Sequence, residues 1–286
     1  METKAYAKVN FTLEVFAERA DGYHALRSLV VPVSLCDTIE VESAPGGSIS
    51  SDSPYPDDLC VKAAVKLRSA AIARGIQGAE NLGAAISIVK RIPAGGGLGG
   101  GSADAAATLK ALDSLWGLGF PRAALLEVAA QVGSDVPSLV HGGAVIMEGR
   151  GEIVSPFMDF APFWLVLANP GVSVPTKKVF AAAQARLTND TRILHNIRSA
   201  LERRDLMDIA SAMVNDLASP AQSLYPEISG ALDALRDAGV CGPMMSGSGS
   251  TVFGLVPDEA RGREIAALLE AKGLKAWCVH TFCPVM

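Results

Sequence analysis

Six of the seven residues from Gly95 to Gly101 are glycine, with Leu98 the exception. Without Cβ atoms the backbone takes φ > 0 freely, and several N–H groups can converge on one point. Ser102 follows, and then the alanine-rich stretch of residues 103–117, which reads as a helix stopped by Gly117. A helix N-terminus carries about half a positive charge and unpaired donors, so the loop and helix together suit a phosphate group. The alternative is a flexible linker, but a linker seldom follows a short strand and opens straight into a helix. No Gly-Lys-[Ser/Thr] closes the run, so it is not a P-loop. A dinucleotide-binding loop also fits poorly, because no acidic residue ends a following strand ~20 residues on, and Asp113 lies inside the helix.

Other polar groups stand out against apolar surroundings, each with a plain structural reading beside it. Lys8 and Asn10 share one face of the strand-like segment 4–16 with Tyr6 and Thr12, while Val9, Phe11 and Leu13 take the other. From that alternation alone, the pair could equally face water beside a sheet edge. Asp135, just before Val136 and Pro137, reads as a helix N-cap. Tyr23 and His24 follow an Asp21-Gly22 turn, where a histidine is ordinarily a solvated loop residue. Lys90 reads as an exposed lysine at a strand end, and Phe180 as a core residue of a helical segment. Residues 245–254 form a second Gly/Ser-rich segment, by itself a tight turn.

The elements that must position these groups follow from pattern. Strand-like runs occur at 4–16, 28–35, 38–42, 84–90, 143–147, 163–168, 243–245, 250–256 and 276–282. Helical periodicity marks 59–74, 103–117, 121–132, 176–187, 196–204, 206–216, 228–238 and 259–272. Strands and helices interleave, so the class is α/β or α+β. At 286 residues the chain suits two domains of ~150 each, with the boundary near 150–162.

Composition excludes several classes. With 49% hydrophobic and 19% charged residues, intrinsic disorder is ruled out. No apolar run approaches the ~20 residues of a membrane-spanning helix. Glu2, Lys4, Lys8 and Glu14 interrupt the N-terminal apolar residues, so no signal-peptide core is expected. A formal charge of −5 argues against a nucleic-acid binder. Cys36, Cys60, Cys241, Cys278 and Cys283 form no CxxC pair and no zinc spacing, which suits reduced thiols in a cytoplasmic protein.

The segment Pro93-Ala94-Gly95-Gly96-Gly97-Leu98-Gly99-Gly100-Gly101-Ser102 resembles the phosphate loop of the GHMP kinases. Ala7-Lys8-Val9-Asn10 resembles that family's first motif, and residues 245–254 its third. Finer marks are Arg19-Ala20-Asp21-Gly22-Tyr23-His24, Gly133-Ser134-Asp135-Val136-Pro137 and residues 170–176. These resemble the members that phosphorylate a cytidine-diphosphate alcohol. Two positions depart from the pattern: Ala103 stands where a serine is common, and Ser134 where an alanine is usual.

The resemblance implies a two-domain α+β fold. It comprises an N-terminal ATP-binding domain resembling ribosomal protein S5 (1–157) and a ferredoxin-like C-terminal domain (158–286). It implies ATP as phosphoryl donor, magnesium with it, and small-molecule substrates, in a monomer or homodimer. Lys8 and Asp135 become the catalytic pair at the acceptor hydroxyl, and Lys90 with Pro93 through Ala103 the nucleotide site. Asn10, Tyr23, His24, Thr176 and Phe180 become substrate contacts, with Phe180 stacking on the base. A carboxylate can accept the hydroxyl proton, while an ammonium nearby keeps it ionised and offsets charge on the transferring phosphoryl group. Valine at Gly97 is expected to block ATP and leave the fold intact. Rival readings are a kinase of a smaller alcohol such as homoserine, and a nucleotide-binding regulator without catalysis.

Overall fold

The structure, a computed structural model, describes residues 1–18, 22, 24–53, 55, 58–183 and 192–282. In chain order the first elements are β1 (Glu2–Glu18), β2 (His24–Ser43), β3 (Ile49–Ser51), α1 (Leu59–Ala73) and β4 (Ala84–Val89). Next come α2 (Gly100–Leu115), α3 (Arg122–Val132), α4 (Val136–His141), β5 (Val145–Gly149), β6 (Ile153–Pro156) and β7 (Trp164–Asn169). They are followed by α5 (Thr176–Ala182), α6 (Arg192–Arg203), α7 (Leu206–Ala212), β8 (Val214–Asn215) and α8 (Ala218–Leu224). Last are α9 (Pro226–Asp237), β9 (Cys241–Met245), β10 (Val252–Val256), α10 (Glu259–Ala271) and β11 (Lys275–His280).

Two compact units share the long strands β1 and β2, each strand giving one end to each unit. The first unit holds Met1–Ala7, Cys36–Ile92 and Gly99–Gly142. Its sheet pairs the far half of β2 antiparallel with β4, from Thr38 opposite Val89 to Ser43 opposite Ala84, and β3 runs parallel on β4. α1 packs on α2 and α3, burying Ala63, Ala64, Leu67 and Ala71. α2 is rich in buried alanine as well, and small side chains let helix axes approach closely. Asp58 starts α1 by accepting from the Cys60 N–H at 2.8 Å, a cap worth ~1 kcal/mol.

The second unit holds Lys8–Leu35, Pro93–Leu98 and Gly143–Met286. Here the near half of β2 pairs antiparallel with β5, β6 folds back on β5, and β8 pairs parallel with β1 at Thr12 and Val214. A second, antiparallel sheet has the order β11-β7-β10-β9. Strand β7 is central, and its Leu165, Val166, Leu167 and Ala168 are all buried, which explains an unbroken apolar run. Ile228 and Leu235 of α9 and Ile265 and Leu269 of α10 join Val166 and Val252 in one core. Phe11 of β1 stacks on Phe253 of β10, centroids 6.0 Å apart, which aligns β1 with the second sheet and adds ~0.5–1.5 kcal/mol.

Each unit is a sheet with helices, as the α+β expectation requires. Several elements differ from the sequence pattern. Segments 28–35 and 38–42 are one continuous strand. The helix expected over 206–216 stops at Ala212, because Val214 and Asn215 pair with β1 instead. Asn215 Nδ2 donates to the carbonyls of Met245 (2.7 Å) and Gly247 (2.9 Å), and Asp216 accepts from the Val15 N–H at 2.9 Å. Those tertiary bonds outweigh a helix propensity that differs by only ~0.7 kcal/mol per residue among ordinary residues. α4, α8, β3 and β6 are too short to show periodicity.

Candidate active site

The polar face of β1 is buried, not solvated: Lys8 is 4% exposed, Asn10 1%, and Thr12 and Glu14 0%. The water-facing reading is therefore wrong. Buried polar groups need partners, and this ladder supplies them in sequence. Lys8 Nζ donates to Asn10 Oδ1 at 2.7 Å, which fixes the amide so that Asn10 Nδ2 donates to Ser28 Oγ at 2.8 Å. Ser28 Oγ donates to the Thr12 carbonyl at 2.5 Å, and Thr12 Oγ1 accepts from the Leu29 N–H at 2.9 Å. Farther along, Arg27 grips Glu14 through Nε (2.8 Å) and Nη2 (2.9 Å). An ammonium is thus held at a fixed place on a strand that cannot move without breaking buried bonds.

The first arc of the glycine loop lies in the same unit, and its carbonyls are engaged one after another. Gly95 O accepts from the Val174 N–H (3.4 Å), Gly96 O from the Thr251 N–H (3.0 Å) and Gly97 O from Ser246 Oγ (3.0 Å). Leu98 O accepts from the Lys8 N–H at 3.0 Å. In a trans peptide the following N–H points opposite to the carbonyl, so the amides of Gly96, Gly97, Leu98 and Gly99 turn away from those partners. This is the orientation an anion cradle requires. Residues 246–251 close over the loop: a Cβ on Gly247 (φ +56) would stand 3.2 Å from Lys8 Nζ and 3.0 Å from Gly97 O. Only glycine allows that approach.

The tolerance expected of Gly97 is corrected here. A side chain at Gly97 (φ +75) would fall on the backbone carbonyls of Ser246 and Gly249, so Gly97→Val disrupts the fold as well as the loop. A cleaner test lies in the first unit, at the start of α2. Gly99 (φ +68) precedes the helix, and the Ala103 N–H closes on Gly99 O at 2.8 Å. The amides of Gly100, Gly101 and Ser102 are first-turn donors without intrahelical acceptors. A Cβ on Gly101 meets only Leu59 Cδ1, at 3.8 Å. Gly101→Glu places a carboxylate where the helix field favours it, so its Tm stays at or above wild type. Affinity for ADP falls tenfold or more by calorimetry, because the same carboxylate occupies and repels the phosphate position. Unchanged ADP affinity would remove the helix start from the nucleotide site.

Lys90, expected near the nucleotide or exposed at a strand end, stands between two carboxylates of its own unit. Its Nζ is 2.5 Å from both Asp37 Oδ2 and Asp104 Oδ2, and its side chain is 23% exposed. Asp37 Oδ1 also accepts from the backbone N–H groups of Arg91 and Ile92. Burial pushes the Asp104 carboxyl from 3.8 up to about 7, with the Lys90 ammonium opposing the rise and the Asp37 carboxylate adding to it. A carboxyl raised on folding favours the folded state below its unfolded value, a contribution lost as pH climbs through the folded one. Compared with Asp104→Asn, wild type loses stability between about pH 4 and about pH 7 and is level above that. Urea melts of the two proteins across this range check it. Parallel curves would mean that Asp104 is ionised throughout.

Asp135 occupies the N-cap position just before α4, yet its side chain makes no capping hydrogen bond, so the capping role falls away. The turn that carries it is held from neighbouring helices. Lys62 of α1 donates to the last carbonyl of α3, Val132 O, at 2.6 Å, and Lys110 of α2 to Leu139 O at 3.2 Å. Ser138 Oγ closes back on Asp135 O at 2.7 Å.

His24 opens β2 with Nδ1 2.9 Å from the Phe16 carbonyl. A carbonyl only accepts, so Nδ1 carries the hydrogen and, in the neutral ring, Nε2 is an acceptor. Half-buried Phe180 stacks on His24, centroids 6.3 Å apart at 29°. Thr176 Oγ1 lies 2.9 Å from Ser248 Oγ. Tyr23 lies outside the described residues. Sequence reasoning missed Asp37, Asp104, Glu14, Arg27, Asn169 and Asn215. Glu14 and Arg27 carried a signal, as charges within otherwise apolar strands. Asn169, whose Nδ2 donates to Thr251 Oγ1 at 2.9 Å, carried none.

Residues 58–143 match the family model described as GHMP kinases N terminal domain, and residues 197–274 the one described as GHMP kinases C terminal. The 4-diphosphocytidyl-2-C-methyl-D-erythritol kinase of Geobacillus thermodenitrificans is 36% identical, over 99% of this chain and 95% of its own. That of Cereibacter sphaeroides is 42% identical over 94% of each chain. A crystal structure of 4-(cytidine 5'-diphospho)-2C-methyl-D-erythritol kinase superposes with a TM-score of 0.84 at 35% identity, covering 98% of this chain and 99% of that one.

Proposed function

The chain belongs to the GHMP kinases, among the 4-diphosphocytidyl-2-C-methyl-D-erythritol kinases, and from that premise we infer its reaction. It phosphorylates the 2-hydroxyl of 4-diphosphocytidyl-2-C-methyl-D-erythritol with ATP, giving the 2-phosphate and ADP on the methylerythritol phosphate route to isoprenoid precursors. The observation that carries this reading is the buried Lys8–Asn10 pair beneath the carbonyl-pinned glycine loop. A fixed ammonium at a phosphate loop offsets charge on a transferring phosphoryl group, and phosphoryl transfer is mostly positioning and electrostatics.

In this reading Pro93, Ala94, Gly95 to Gly101, Ser102 and Ala103 hold the ATP phosphates through outward amides and the α2 terminus. Asp135, whose carboxylate is not spent on capping α4, orients the acceptor hydroxyl and takes its proton, while Lys8 meets the developing charge. Asn10 positions Lys8 and the substrate. Tyr23, His24 and Phe180 take the cytosine, whose exocyclic amine suits the Nε2 acceptor of His24. Thr176 adds a polar contact. The ATP-binding role is assigned to residues 1–157 and the remainder of the kinase to 158–286. Magnesium would arrive on the ATP phosphates and neutralise them. Among the described residues no group of three or more His, Cys, Asp or Glu side chains gathers, and magnesium characteristically takes only one or two carboxylates beside the nucleotide phosphates. The reading places the protein in the cytoplasm; among the described residues no helix is long and apolar enough to cross a membrane.

The test is turnover with ATP of the cytidyl alcohol beside free homoserine, followed by ADP release and phosphorus NMR of the product. Phosphate on the 2-hydroxyl of the cytidyl compound alone is the expected result. Homoserine turning over in its place would transfer the protein to another branch of the family.

A further inference from the structure

The triad Asp37, Lys90 and Asp104 bonds to the segments at both ends of the glycine loop. Asp37, on β2, accepts from the Arg91 and Ile92 N–H groups and from Lys90, all on the segment that leads into the loop. Lys90 bonds in turn to Asp104 in the second turn of α2, the helix into which the loop leads. A Cβ on Gly100 would stand 3.0 Å from Ile92 Cγ2 and 3.5 Å from Lys90 Nζ, so the helix start rests directly on the incoming segment. We propose that Asp37, Lys90 and Asp104 clamp the two ends of residues 93–99 together, making Lys90 a positioning residue for ATP instead of a group that touches it. The proposal rests on the reading of that loop as the ATP phosphate site.

Three physical points support the clamp. A glycine-rich loop is the costliest segment to order, since each glycine gives up the most backbone freedom on folding. Joining its ends removes part of that freedom before the nucleotide arrives, which raises affinity without any new contact to the ligand. A buried ion pair adds little net stability over apolar residues of the same size, so the benefit of a polar triad here is its directional geometry. Charge also agrees: two carboxylates and one ammonium would present a net negative charge near an anion site. Burial, which pushes the Asp104 carboxyl up to about 7, favours the proton that offsets this charge.

The experiment is calorimetric titration of the full chain with ADP, together with steady-state KM values for ATP and for the cytidyl alcohol. Asp37→Asn keeps the shape but loses the carboxylate that engages Lys90 and two backbone amides. It weakens ADP and raises KM for ATP about tenfold, and leaves KM for the alcohol within about twofold. Lys90→Met does the same, Lys90→Arg restores most of the affinity, and the double variant Asp37→Asn/Lys90→Met is no worse than the poorer single one. Should Lys90→Met fail to fold, leaving two buried carboxylates unpaired, the Asp37→Asn comparison alone carries the test. ADP affinity within twofold of wild type in Asp37→Asn, with only a lowered Tm, overturns the clamp. So does a loss confined to Lys90 variants, which would mean direct contact with the nucleotide. A wild-type chain that does not bind ADP overturns the phosphate-loop reading itself, and the clamp with it.

Discussion

Asp135→Asn lowers kcat by ~10²–10⁴ and leaves the affinities for ATP and the cytidyl alcohol within a few-fold, because a positioned base acts on the reacting proton and not on binding. The amide is nearly isosteric and cannot accept the hydroxyl proton as the carboxylate does. A capping role would give a different signature, a loss of about 0.5–2 kcal/mol in stability with kcat little changed. The absence of any cap bond from the Asp135 side chain already weighs against that outcome. Lys62 and Lys110 hold the carbonyls of Val132 and Leu139 on either side, so the variant keeps the turn in place and the comparison clean. Rapid-mixing measurement of a single turnover separates the chemical step from product release. Retention of more than about a tenth of wild-type kcat would mean that Asp135 does not take part in proton transfer.

Removing the cytidyl group from the substrate costs at least ~10³ in kcat/KM. Binding energy from a remote group orients the reacting hydroxyl, so its loss appears in rate as well as affinity. The base is assigned to Tyr23, His24 and Phe180. The Phe16 carbonyl holds the His24 ring in one tautomer, and the Phe180 ring lies 6.3 Å from it. Phe180→Ala with the full substrate costs ~1–3 kcal/mol in kcat/KM, the worth of one base-on-aromatic stack. With free methylerythritol or its monophosphate the same substitution costs nothing. Phe180 also packs against the core of its own unit, which makes the two-substrate comparison necessary. An equal loss with both substrates would identify Phe180 as packing alone. Equal turnover of the truncated and full alcohols would leave the kinase chemistry standing and remove the cytidyl specificity.

The glycine loop, the helix after it and most long elements were legible because their signals are local. Runs of glycine, 3.6-residue periodicity and Asp-Gly turns are read from neighbours in the chain. The roles given to Lys8, Asp135 and residues 245–254 came instead from the family resemblance of short motifs, since by themselves those residues read as a strand face open to water, a helix cap and a tight turn. What lay hidden depends on residues far apart in sequence. Asp37 and Lys90 are 53 positions apart, Gly97 and Ser246 149, and Val15 and Asp216 201. No periodicity within a window of 18 residues can report such pairs. The same limit explains β8, where an apparently helical stretch became a strand through its bonds to β1 and to the 245–247 backbone.

The amino-acid sequence by itself determined the class of chemistry, since it specifies where the backbone can bend without Cβ atoms, where a helix begins, and which charged groups stand among apolar ones. Only the tertiary structure decided how those groups are placed. It buried Lys8 and Asn10 where alternation left them equally able to face water. It left the Asp135 side chain out of the helix cap, and it turned Lys90 from a strand-end lysine into the link between two carboxylates. The physical reason is common to all three. Whether a polar side chain is solvated, capping or paired is settled by desolvation and by the partners that folding brings within hydrogen-bonding distance. Those partners come from strands and loops that are remote along the chain.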